Sequence, residues 1–216
     1  MHPWPQAGAE TRPAPSEAPA APAPAAYPPL APLRQLRLTY ILAEGPDGLY
    51  VVDQHAAHER VRYEALEEAE GRGGEGVARQ RLMPAAVVDL TPALVEALEA
   101  YAGEVALAGF RAEPFGGASV RIAEAPADVR LPGQVLRDLL SLLSDPGEAA
   151  PPAHRRRALM ACRTAIRAGD ALAPPEMARI LDLLARCRFP ATCPHGRPTV
   201  HRLPWDEVAA WFRRRA

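Results

Sequence analysis

Residues 35–64 read QLRLTYILAEGPDGLYVVDQHAAHERVRYE, and the fold turns on this stretch. Leu36, Leu38, Tyr40 and Leu42 alternate with Arg37, Thr39 and Ile41, the period of a strand. EGPDG (residues 44–48) then supplies a turn around Asp47-Gly48, and Leu49 to Val52 is a short apolar strand, so the two runs read as a hairpin. Asp53 ends the second strand. Gln54 to about Glu70 reads as a helix, and the glycines from Gly71 to Gly76 break it.

Upstream, residues 1–33 are rich in Pro and Ala, as in PAPSEAPAAPAPAAYPPLAPL. Such a stretch buries too little apolar area to offset its ordering entropy and reads as a semi-extended linker, with order expected from Gln35. Linkers join things, so the chain is expected to be an expressed domain or a truncated product of something longer.

Downstream, Pro84 to Leu90 is expected as a strand. Thr91 as cap and Pro92 at the first helical position start a helix to about Ala108, stopped by Gly109. Phe110–Phe115 and Ser119–Ala123 read as strands around Gly116-Gly117. Helices are expected over Gln134–Leu143, His154–Ala168 and Pro175–Cys187. FPATCPHGRP (residues 189–198) has no regular period and reads as a loop. A short strand follows at Thr199–Leu203, then a terminal helix over Pro204–Arg214 with Trp205, Val208, Ala209 and Phe212 on one face. No internal repeat is visible. The expected class is α+β, in two lobes.

The chain of 216 residues is 48% hydrophobic and 24% charged, a globular composition able to form a core. Its formal net charge of −1 excludes a global basic field, so any contact with nucleic acid must come from a local patch or a partner. All 25 basic residues are arginine and asparagine is absent, as a GC-rich genome would give. Three cysteines, an odd count, and no basic-then-apolar leader point to a reducing compartment, with a cytoplasmic location expected. No apolar run approaches the length of a membrane span.

Three short segments carry chemistry. In the first, Asp53 stands where strand gives way to helix, placed to cap it and to face a cleft. His55 and Glu59 are four apart and share a helix face, which makes a divalent-metal half-site or a plain solvated pair. Glu64 points well around the helix and is expected to pair with an arginine or orient the fold. In the second, CPHGRP (193–198), Cys193 and His195 can aim sulfur and nitrogen at one point, as Zn²⁺ favours, or be a buried thiol beside a turn histidine. In the third, ALMACRTAIRAGD (158–170), Cys162 lies on an apolar helix face and by itself reads first as a small core residue. Arg163 and Arg167, four apart, can present guanidinium groups to phosphate or form a solvated face. Taken together, these carboxylates, imidazoles and thiols suffice for two ions. Asp53 and Glu59 would hold catalytic ions; Cys162, Cys193 and His195 would hold a thiophilic one. Two-metal phosphodiester hydrolysis uses such a set.

At every defined position, residues 53–64 match the endonuclease motif of MutL-type DNA mismatch repair proteins: DQHA, two residues, E, four residues, E. ACR at 161–163 resembles the second motif of that family, and CPHGRP matches the third. The segments follow the family's order, and the resemblance, to the C-terminal domain of the endonuclease-bearing bacterial subclass, covers roughly Gln35 to Ala216.

The resemblance implies a homodimer with a dimerisation lobe carrying the metal site (34–79 and 151–216) and an inserted external, regulatory lobe (80–150). It implies nicking of duplex DNA with Mn²⁺ or Mg²⁺, and a regulatory or structural Zn²⁺. Carried over by position, Asp53 and Glu59 are catalytic, and Asp53, His55, Glu59, Cys162, Cys193 and His195 line the metal site. Gln54, Glu64, Arg163 and Arg197 complete the motifs. QRLMP (80–84) resembles the family's sliding-clamp-binding peptide, with Gln80, Leu82, Met83 and Pro84 as its residues; the plain alternative is a loop entering a strand. The implied partners are a second copy, duplex DNA, the sliding clamp and, through the full-length protein, a MutS-type mismatch-recognition protein. Full-length members begin with an ATPase domain whose glycine-rich motifs are not among these residues, so no ATP site is assigned. In the family the C-terminus lies near the metal site, so Arg213–Arg215 are either local positive charge for DNA or a solubilising tail. Two further readings stand beside the nuclease: a silent dimerisation and docking module, and a small protein whose zinc only stabilises the fold.

Overall fold

A computed structural model describes residues 27–72 and 77–214. Most of the Pro/Ala-rich start, part of the glycine run after residue 72 and the last two residues, Arg215 included, lie outside the described residues. The class is α+β, as expected, built on two antiparallel sheets.

The four-stranded sheet runs β1 (Ala31–Leu36), β2 (Tyr40–Gly45), β3 (Gly48–Asp53) and, at its far edge, β7 (Val200–Pro204). The expected single strand over Leu36–Leu42 is in fact two. Arg37 and Leu38 take φ of 52° and 50°, Thr39 N–H donates to Leu36 O at 3.0 Å, and the chain reverses there. Positive φ at both central residues is what a two-residue hairpin turn requires to match strand twist. The linker boundary also moves. Ala31 and Pro32, expected as linker, pair with β2, and the Tyr27 ring meets Tyr50 edge-on at 6.4 Å, in the apolar cluster that Tyr50 and Ile41 build. The β2–β3 hairpin closes at Gly45↔Gly48. A Cβ on Gly48 would stand 2.4 Å from Leu203 O, so glycine there lets β7 approach.

The three-stranded sheet has the order β4 (Arg79–Asp89), β6 (Ser119–Pro126), β5 (Arg111–Gly116). β4 starts earlier than expected, so QRLMP lies in a strand. That strand bulges: Arg81 pairs Glu124 but Ala86 already pairs Ile122, leaving Leu82–Ala85 opposite one residue.

Among the helices, α1 (Gln54–Gly71) packs on α5 (Pro152–Thr164) and α6 (Pro174–Ala185). The expected helix from Thr91 to Ala108 divides at Tyr101 into α2 (Pro92–Ala100) and α3 (Ala102–Leu107). α4 (Pro132–Leu143) and α7 (Trp205–Trp211) complete the set, α7 stopping short of the Arg214 expected. α5 stops at Thr164, earlier than the expected Ala168, because Ala165 is extended.

Two cores result. The larger gathers Phe110, Ile122, Leu136, Leu139 and Leu140 under the three-stranded sheet, with Met160 of α5. The smaller packs Ile41, Tyr50 and Val52 on Met177, Ile180, Leu181 and Leu184 of α6. α1 lies between them, with Ala57 in the smaller core and Leu66 against the larger. Among the described residues no helix is long and apolar enough to cross a membrane.

Candidate metal centre

The site grows from the end of β3. Asp53 pairs Tyr40 in the sheet, its own N–H donates to Thr199 O at 2.9 Å, and its Oδ1 accepts from Ala56 N–H at 2.9 Å, capping α1. Gln54 follows, fully buried. Its Nε2 donates to Arg167 O at 2.8 Å and Leu38 O at 3.0 Å, and its Oε1 accepts from Gln35 Nε2 at 2.6 Å. Gln35 in turn donates to Asp170 O and accepts from Leu172 N–H. The two amides therefore fasten the β1–β2 turn and the segment after α5 to the start of α1.

One helical turn of α1 then fixes that same segment twice more. His55 Nδ1 lies 2.8 Å from Ile166 O, and His58 Nδ1 lies 2.9 Å from Ile166 N–H. A carbonyl accepts only, so His55 carries a proton on Nδ1, which leaves Nε2 as the nitrogen that faces the site. An N–H donates only, so His58 Nδ1 is bare, and burial holds the His58 pKa down at about 4. Fixing the tautomer by a hydrogen bond on the other nitrogen is the usual support of a metal-binding imidazole.

His55 Nε2 faces Glu59 Oε1 at 3.2 Å. Glu59 is 1% exposed, and Oε2 is buried without a hydrogen-bond partner among the described residues, His195 Nδ1 being 3.5 Å away. Burial pushes the Glu59 carboxyl up, but His195 and the Cys162 and Cys193 thiols turned towards it outweigh burial and hold it at about 2. A charged carboxylate is thus enclosed with an incomplete shell. The Cys162 thiol is pushed up to about 11 by burial and by Glu59, and burial pushes Cys193 up as well.

Cys193 and His195 reach Glu59 from a loop that α1 itself holds. Within it Cys193 N–H donates to Arg197 O, Gly196 N–H donates to Cys193 O, and Gly196 takes φ +78°. Pro194 after the turn's first residue and glycine at its last suit such a turn. A bridge from Thr192 to Pro198 closes the loop's base, and the buried Thr199 hydroxyl donates to Pro190 O. Arg60 Nε donates to Thr192 O at 2.6 Å, and Glu64 accepts from Arg188 N–H at 2.6 Å and Phe189 N–H at 3.0 Å while facing Arg60 at 3.6 Å. Glu64 thereby both pairs with an arginine and orients the loop.

Two triads result, each with its ligand atoms within 4.8 Å of one another: His55, Glu59 and Cys162, and Glu59, Cys193 and His195. Glu59 belongs to both. Asp53 belongs to neither and is engaged as a cap. The sulfur, imidazole and carboxylate set, the inward-facing Nε2 of His55 and the unpartnered Oε2 of Glu59 fit a borderline cation such as Zn²⁺. Cys187 stands apart, its thiol bonded to Leu183 O and pushed up to about 12 by burial. Arg163 is paired with Asp138, and Arg197 contributes its carbonyl. Of the clamp-like peptide, Gln80 donates to Pro126 O at 3.4 Å, Leu82 packs on the larger core, Met83 is 85% exposed and Pro84 is exposed. The residues that sequence reasoning passed over are His58, Arg60 and Gln35. A second histidine three residues after His55 was the available signal; Arg60 and Gln35 gave none, since they bind backbone atoms far along the chain.

Comparison with known proteins agrees in one direction. Residues 33–172 match the family described as the MutL C terminal dimerisation domain. The chain is 41% identical over 193 residues to the DNA mismatch repair protein MutL of Symbiobacterium thermophilum, covering 86% of this chain and 30% of that protein. It is 41% identical over 197 residues to MutL of Desulforudis audaxviator, covering 87% and 33%. With MutL of Heliobacterium modesticaldum the identity is 43% over 189 residues, covering 85% and 28%. The chain thus spans about a third of the length of these relatives. On that match and on the motif residues now placed in space, the chain belongs to the MutL C-terminal dimerisation domain family.

Proposed function

We propose that this chain is a metal-dependent nicking endonuclease domain of DNA mismatch repair that works as a homodimer. One observation carries the reading: a buried carboxylate, Glu59, meets two imidazoles and two thiols and keeps an unsatisfied oxygen. A pure docking module has no need of that cluster. Cys162, Cys193 and His195 with Glu59 would hold Zn²⁺, and Asp53, His55 and Glu59 would hold Mn²⁺ or Mg²⁺. Divalent ions in such a site ready a water and neutralise charge on the transferring phosphoryl group. The chain's own part is to fix the His55 tautomer through Ile166, to hold Glu59 ionised, and to carry the Cys193–His195 loop on Arg60 and Glu64.

The outer face of the four-stranded sheet suits a second copy. Tyr40 (40% exposed), Leu42, Leu49, Val51 and Leu203 alternate away from the core, and Leu38 is 45% exposed beside them. The clamp-like peptide suits a sliding clamp, because the bulge at Leu82–Ala85 pushes Met83 out of the sheet. Gln80→Ala with Leu82→Ala is expected to lower clamp-stimulated nicking with the fold intact; unchanged stimulation sinks the clamp assignment. A MutS-type partner and an ATPase half belong to the full-length protein.

A silent docking module is the second reading, favoured by Asp53, whose carboxylate is spent on a helix cap. The deciding assay is nicking of supercoiled plasmid at low salt with Mn²⁺, wild type beside Asp53→Asn. The nuclease reading expects nicking by the wild type and none by the variant. No nicking by the wild type, with the clamp loaded, leaves the docking module.

A further inference from the structure

Next to the metal centre lie two adjoining cavities, of about 370 and 130 Å³, and the walls of both include Arg130, Arg163 and Arg167. The three arginines come from different elements. Arg130 precedes α4, Arg163 is in the last turn of α5, and Arg167 follows that helix. Arg163 adjoins Cys162, and its Nε is buried without an acceptor among the described residues, although a terminal nitrogen is paired with Asp138. Arg130 and Arg167 are exposed, and among the described residues neither has a carboxylate within ion-pair distance.

Among the described residues two acids line the smaller cavity and none lines the larger. Asp128 is paired with Arg62 at 3.0 Å, whereas Asp170, in the wall of the smaller cavity, accepts only the Arg167 backbone N–H at 2.8 Å and keeps its charge. In a chain of net charge −1, the wall of the larger cavity carries three arginines and no acid, and that of the smaller the same three against two aspartates, a local positive excess. The rest of the larger wall is Val129, Leu131, Gln134 and Val135, a mostly apolar lining that weakens screening of the charges. The backbone beneath is rigidly placed: Arg167 O accepts from Gln54 and Ile166 O from His55, so the cleft is registered to the motif helix.

We propose that this cleft takes the phosphodiester backbone of duplex DNA, with Arg130 and Arg167 each contacting a phosphate and Arg163 joining the cleft to the metal centre. Guanidinium groups suit this, since their donors match phosphate oxygens two at a time. The inference deepens the nuclease reading and rests on it for the identity of the ligand.

The test is binding of a fluorescently labelled duplex by the purified chain in chelator, measured by anisotropy across a salt series. Arg130→Ala with Arg167→Ala is compared with wild type and with Arg111→Ala and Arg121→Ala, which remove equal charge from ion-paired positions on the three-stranded sheet. Each phosphate neutralised contributes about 0.9 to the slope of log K against log salt. The cleft variant is expected to lose about 1.8 of that slope, and the control variant none. An unchanged slope, an equal loss in the control, or no duplex binding by the wild type overturns the proposal. Plasmid nicking by the same proteins separates the two readings. Wild-type nicking with an unchanged slope in the cleft variant removes the cleft and keeps the nuclease. A slope loss without wild-type nicking, the clamp being loaded, keeps the cleft and removes the nuclease.

Discussion

The two sheets are stabilised in different ways. Behind the three-stranded sheet the buried side chains are aliphatic and aromatic, from Val105 and Phe110 to Leu139 and Leu140. Around the four-stranded sheet the small apolar core is accompanied by buried Gln54, Glu59, Arg60 and Thr199. A buried polar group costs free energy unless it is hydrogen-bonded. Gln54, Arg60 and Thr199 meet that demand on carbonyls of distant segments: Leu38 and Arg167, Thr192, and Pro190. Glu59 alone of the four keeps an unsatisfied oxygen. One half of the molecule is packed for stability, and the other is tethered for position; the exception within the tethered half is where the proposed cation would sit. Arg156, fully buried, joins the halves by binding Glu70 of α1 and Glu104 of α3.

That contrast can be broken or sharpened. The largest effect is expected from Leu140→Ala, which empties a fully buried position in the apolar core. It should cost about 3–4 kcal/mol in denaturant unfolding yet, if the proposed centre holds zinc, leave zinc stoichiometry of the folded protein unchanged. Loss of zinc from the folded variant would erase the distinction. A smaller, pH-dependent effect belongs to His58. Its folded pKa of about 4 lies below the ordinary 6.5, so between those values the unfolded chain binds more protons and stability falls as pH falls. In chelator this amounts to about 3 kcal/mol at the limit. His58→Asn keeps an acceptor for Ile166 N–H and does not titrate, so its stability curve should be flatter from pH 6.5 to 4. Parallel curves for the two proteins would mean that His58 is not held neutral by the fold.

How far the sequence reveals all this depends on the range of the forces involved. The β2–β3 hairpin and α1 are legible because alternation, Asp47-Gly48 and the Asp53 cap are local. The turn at Arg37-Leu38 is hidden, since neither residue favours positive φ and the alternation of Leu36, Leu38 and Tyr40 runs straight through it. Tertiary bonds hold it instead, with Gly169 N–H and Gln54 both donating to Leu38 O. The division at Tyr101 is signalled only by Gly103 two residues on, a glycine that a continuous helix would also tolerate, and the bulge after Arg81 depends on pairing with β6. In the site, ligand types and spacing are legible, but which atoms meet is not. That Glu59 is shared, that Asp53 caps, and that His58 and Arg60 serve as supports follow from contacts between segments far apart in sequence.

The order of the strands also has a consequence in time. β1, β2 and β3 are successive, but β3 waits for β7 at Val200–Pro204 to cover its other edge. At a synthesis rate of about 5–20 residues per second, the delay is on the order of ten seconds. Throughout it the growing chain carries Asp53 and Glu59 but lacks the loop with Cys193 and His195, which emerges just before β7. The nascent protein therefore passes through a period with an open β3 edge, a template for wrong pairing, in which neither candidate triad is complete until Cys162 is made and only that of His55, Glu59 and Cys162 is complete thereafter. The strand that ends this exposure arrives directly behind the residues that complete the second triad.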